Sequence, residues 1–149
     1  MTGFNHMLTG TAIALSVQSP WLAPVLSFAS HFILDALPHY DPGYRGPHQQ
    51  PEKHFKYYIA LEIIAIPAVM ATSILLFHQH WLLVLGCMLT AYLPDVLWAL
   101  ERRHGHRTFL NKFYAFHNKI QWGERPWGWT IEAVYFFAVG YVLVSNYYI

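Results

Sequence analysis

The residues best suited to chemistry lie in one stretch, Ser30-His31-Phe32-Ile33-Leu34-Asp35-Ala36-Leu37-Pro38-His39-Tyr40-Asp41. His31 and Asp35 are four positions apart, so on a helix both side chains share a face. An imidazole nitrogen and a carboxylate oxygen at this spacing suit zinc or another divalent ion, with manganese or magnesium as alternatives. Pro38 ends the helix, because the residue before proline is pushed out of the α region. His39 and Asp41 then fall on the exit turn and can fold back over the same point. A plainer reading stands beside this one: His31 and Asp35 can simply hydrogen-bond each other as a cap-like polar pair.

Other ionisable residues lie at matching depth in otherwise apolar segments. His6 is near the start of the first, Glu62 and Glu132 are each about a turn and a half into theirs, and Asp95 is about as far from the end of its own. Carboxylates in a hydrocarbon environment are unfavourable by a few kcal/mol each. Several at one level call for compensation by a metal ion, a shared-proton network or mutual ion pairs. The last is the weakest option, since no Lys or Arg falls inside the apolar segments. His6, His31, Asp35, His39 and Asp41 are thus candidate metal ligands. Glu62, Asp95 and Glu132 are candidate general bases or supports. His117 sits in the amphipathic run Phe113-Tyr114-Ala115-Phe116-His117-Asn118-Lys119-Ile120-Gln121-Trp122, which reads as lying on a membrane surface. It can swing over the cluster as a ligand or an acid/base.

These residues must be positioned by helices. The chain of 149 residues is 55% hydrophobic and only 11% charged, against about 25% charged in a typical soluble domain. We expect a single all-α integral membrane domain over 1–149. Segments 57–77, 81–100 and 127–147 each have roughly the 20 residues that cross a bilayer. Segments 4–17 and 21–37 are shorter, either short spans or a tilted hairpin. Five membrane helices result, as two related hairpins and a C-terminal helix.

All nine Lys and Arg fall in two loops, after the second and the fourth helix. The positive-inside rule puts both loops in the cytoplasm, with the N-terminus inside an inner (plasma) membrane and the C-terminus outside. Arg102, Arg103 and Arg107 can meet lipid headgroups there. His78 and His80, on the opposite turn, read as solvated. The lone cysteine, Cys87, reads as a small buried apolar residue and cannot form an intramolecular disulfide. A net charge of +1 gives no reason to expect nucleic acid. Nucleophile-serine, phosphate-loop and dinucleotide motifs are absent.

An early His6 in a Gly- and Ala-containing helix, followed by Ser30-His31…Asp35…Leu37-Pro38-His39-Tyr40-Asp41, resembles the membrane-bound, predicted metal-dependent hydrolases of the YdjM-like type. In their Leu-Pro-Asp-x-Asp motif, His39 replaces the first acid here and Asp41 keeps the second. Leu93-Pro94-Asp95 fits the start of that motif better but lies in the second hairpin. The downstream His-Arg-Gly element is reduced to His106-Arg107-Thr108. The His-x-x-x-Asp pair is also similar to pairs in all-helical zinc phospholipases C. The resemblance covers residues 1–41 and implies a metal-dependent hydrolase. Location adds the substrate class, a lipid phosphate ester at the cytoplasmic face. Two other readings stay open at this point: a non-enzymatic ion or proton site, and a structural or partner-binding membrane protein.

Overall fold

A computed structural model describes residues 1–40, 55–103 and 110–147, with Arg102 and Tyr147 by backbone alone. The described residues form six α-helices: α1 Gly3–Val17, α2 Leu22–Ala36, α3 Phe55–Leu76, α4 Trp81–Arg103, α5 Asn111–Ile120 and α6 Gly128–Tyr147. Short 3₁₀ turns at His78–His80 and Gln121–Gly123 join α3 to α4 and follow α5. The all-α expectation holds, and the helix limits fall within a few residues of those read from the sequence.

α1 is the central helix, packed against α2, α3, α4 and α6. Its small residues allow this. A Cβ on Gly10 would lie 2.6 Å from the Cys87 carbonyl oxygen, so α1 and α4 meet backbone to backbone there. Met7, Leu8, Ala14, Ala23, Val84, Cys87 and Met88 fill the surrounding core. Cys87 is buried and free, as expected.

Three helical segments are long and apolar enough to cross a membrane: Phe55–Leu76, His78–Glu101 and Gly128–Asn146. α1 and α2 have 15 residues each and are shorter. The outer faces are strongly apolar. Ile64 on α3 is 71% exposed and Phe137 on α6 is also 71% exposed. An apolar surface of this extent is what a membrane or a partner protein covers.

The up-and-down order brings the start of α1, the end of α2, the start of α3, the end of α4 and the start of α6 to one end of the bundle. His78 and His80 are exposed at the other end. After α2, the chain is clasped by the turn that follows α5. The His39 N–H donates to the Gly123 carbonyl at 3.3 Å, and the Arg125 N–H donates to the His39 carbonyl at 2.8 Å. Two glycines make room for this clasp. A Cβ on Gly123 would collide with the Leu37 carbonyl, and one on Gly128 with the backbone of His39 and Tyr40.

Candidate metal centre

His31 and Asp35 lie on the last turns of α2 and are buried. Asp95 follows Pro94 in α4 and is 26% exposed. His117 comes from α5 and is buried. One ligand atom from each of these four residues lies within 4.8 Å of every other. His31 Nε2 is 2.9 Å from His117 Nε2 and 3.1 Å from Asp35 Oδ2. His31 Nε2 to Asp95 Oδ1, His117 Nε2 to Asp35 Oδ2 and His117 Nε2 to Asp95 Oδ1 are each 3.6 Å. Donors bound tetrahedrally to zinc at 2.0–2.1 Å are about 3.4 Å from one another. The observed separations bracket that value, and the group can hold a metal ion.

The hydrogen bonds set the imidazole of His31 correctly for this. Its Nδ1 is 2.9 Å from the Ala91 carbonyl, so Nδ1–H donates and Nε2 turns its lone pair inward. Pro94, three residues on, has no N–H for the Thr90 carbonyl and loosens the helix at this turn. Asp35 Oδ2 is buried, near both imidazoles, yet in line with neither for a hydrogen bond. His31 Nε2 and His117 Nε2 are within hydrogen-bond distance of each other, and a cation between them would take the place of the shared proton. Burial pushes the His117 imidazole down to about 4, against the pull of Asp35. It is therefore neutral at pH 7, the form that ligates metal.

His117 reaches the cluster because α5 is held by aromatic contacts on both sides. Phe32 of α2 meets Phe113 and Phe116 edge-on, and Trp98 of α4 stacks on Tyr114 with planes 11° apart. The Trp98 indole N–H also donates to Asn118 Oδ1 at 2.6 Å. Replacing Trp98 with Ala should loosen α5 and weaken metal affinity by about 10- to 100-fold, the range for lost outer supports of a metal site. Titration with a fluorescent zinc competitor checks this, and an unchanged affinity would show that α5 docks without it.

Comparison with family models, with curated proteins and with solved structures finds no match. The residues and their geometry therefore carry the functional argument alone.

The other expected site residues fall around this group. His6, in the first turns of α1, stacks on His31 and meets the other oxygen of Asp35. His39 is buried outside the four-residue group, with Nδ1 on the Leu37 carbonyl at 2.8 Å. Burial and then the Met1 ammonium lower its pKa. Glu62 accepts the Gly3 N–H at 3.0 Å. Glu132 accepts the Thr2 and Tyr40 N–H groups, each at 2.9 Å, and ties three segments together. Asp41 and Arg107 lie outside the described residues, as does the side chain of Arg102. Arg103 is exposed at the end of α4.

Sequence reasoning missed one participant. The Met1 ammonium is fully buried, 2.6 Å from Asp35 Oδ1. Burial opposes its charge, but Asp35 and then Glu132 outweigh burial and raise its pKa. A basic partner at the level of the buried acids is thus present, supplied by the backbone of residue 1. No side-chain letter could have signalled it.

A cleft of ≈ 220 Å³ between α3 and α4 reaches the group, lined by Met1, Tyr58, Glu62, Tyr92, Asp95 and Trp98 among others. On the far side of Tyr58 lies an apolar cavity of ≈ 380 Å³, with Phe4, Tyr57, Leu61 and Trp129 in its walls.

Proposed function

We propose that this protein is a metal-dependent membrane hydrolase, acting on a lipid phosphate ester at the cytoplasmic face. The observation that carries the reading is the convergence of His31, Asp35, Asp95 and His117 beside an open cleft. Two nitrogens and two carboxylate oxygens at tetrahedral spacing favour zinc.

A divalent ion held by His31, Asp35, Asp95 and His117 would supply Lewis acidity toward a phosphoryl oxygen and would lower the pKa of a water molecule. The chain does the rest. Asp95, the one partly open member of the set, faces the cleft where substrate arrives. Glu62 shares that cleft and can take a proton from the attacking water. Tyr58, Tyr92 and Trp98 give the cleft apolar walls suited to the neck of a lipid. α3, α4 and α6 cross the membrane in this reading, α1 and α2 complete the bundle as short spans, and α5 lies on the inner surface. The basic residues that follow α2 and α4 in the sequence would draw anionic headgroups in this reading.

A metal-free polar core is the rival reading, favoured by the Met1 ammonium that already offsets Asp35. Elemental analysis of the detergent-purified protein, with phosphatase and phosphodiesterase assays on lipid micelles, separates the two. Bound zinc and a lipid-hydrolysing activity, both lost in Asp95→Asn, are expected. A folded wild type that binds no divalent ion on add-back is the rival's result.

A further inference from the structure

The two oxygens of Asp35 do different work. Oδ2 belongs to the group with His31, His117 and Asp95. Oδ1 faces the opposite set, His6 Nε2 at 3.1 Å and the Met1 ammonium at 2.6 Å. We propose that Asp35 bridges two divalent cations, the second held by Oδ1 and His6 Nε2. This rests on the reading above, in which the first ion sits on Oδ2.

Three observations carry it. First, the His6 and His31 rings are stacked, with centroids 4.0 Å apart and 23° between their planes. Each presents Nε2 at 3.1 Å to a different oxygen of one carboxylate. Hydrolytic centres with two metals hold them about 3.5–4 Å apart. Two near-parallel imidazoles at this spacing, bound through the same ring atom, place their ions at that separation.

Second, His6 is fully buried and neither of its ring nitrogens has a hydrogen-bond partner. Its Nε2 is close to Asp35 Oδ1 but out of line for an N–H···O bond. A buried imidazole left without partners is unfavourable, and such groups are rare unless they have a task. His39 adds a further donor of the same kind: Nδ1–H is engaged by Leu37, and Nε2 is buried without a partner.

Third, Oδ1 already attracts a cation. The Met1 ammonium lies on it at 2.6 Å, and loading the second ion requires that ammonium to move from Oδ1 to another acceptor. One carboxylate then serves two charges, as a bridging ligand does.

The test is manganese loading of the whole protein in detergent, read by elemental analysis and by electron paramagnetic resonance. The wild type should hold about two ions per chain with an exchange-coupled spectrum, as expected for ions about 3.5–4 Å apart. His6→Gln should hold about one, with the six-line signal of an isolated ion. A wild type holding one ion, uncoupled and unchanged in His6→Gln, overturns the second ion and leaves the first. A wild type holding none overturns both readings. The wild-type count decides even where the variant fails to fold.

Discussion

Asp35→Ala should lose its bound metal and melt well below the wild type. The carboxylate lies within 2.6–3.6 Å of the Met1 ammonium, His6, His31 and His117. All of these groups are buried. Removing one partner of a buried ion pair typically destabilises by about 3–5 kcal/mol, because the other charge is left without compensation. Here one deletion strands an ammonium and removes the member that lies within 3.6 Å of His6, His31 and His117. Asp35→Asn keeps the shape and removes only the charge, so it should also lose metal while keeping more of the stability. Circular dichroism melts beside zinc analysis read both quantities. Wild-type melting in Asp35→Ala would show that the ammonium finds another acceptor and that the pairing contributes little.

Glu132→Ala is the second large effect, and it separates architecture from chemistry. The sequence leaves this position as either a general base or a supporting group. In the structure both carboxylate oxygens are engaged, by the N–H groups of Thr2 and Tyr40. The side chain is only 4% exposed. Each stranded buried N–H costs about 1–3 kcal/mol, so the alanine variant should lose several kcal/mol. Glu132→Gln keeps one acceptor and should lose about half as much. Because Glu132 stands outside the four-residue group, the Gln variant should keep its metal. Full stability in Glu132→Ala, with activity abolished, would instead make Glu132 a participant in the reaction.

Much of this arrangement was legible one residue at a time. The helix limits follow from long apolar runs punctuated by Gln18-Ser19-Pro20, Leu37-Pro38 and the paired histidines His78 and His80. The common depth of His6, His31, Asp35, Asp95 and Glu132 follows from counting along up-and-down helices. Which of them meet does not, because that depends on which helices are neighbours. α1 proves central and α4 packs on both α1 and α2, so Asp95 joins the His31 and Asp35 group. His39 is instead drawn into the crevice left by Gly123 and Gly128, two glycines whose partners are far away in sequence. The local signal for His117 was the amphipathic run around it. Its partner could be found only from Phe32 and Trp98, which carry α5 over the end of the bundle.

The donor from α5 has a meaning in the order of synthesis. His31, Asp35 and Asp95 belong to helices made first, and His117 emerges from the ribosome after them. Chains are built from the N-terminus onward and fold as they go. A nascent chain that has threaded α1 to α4 carries three donors around an open position. An ion held by all four residues would fasten α5 to segments already made.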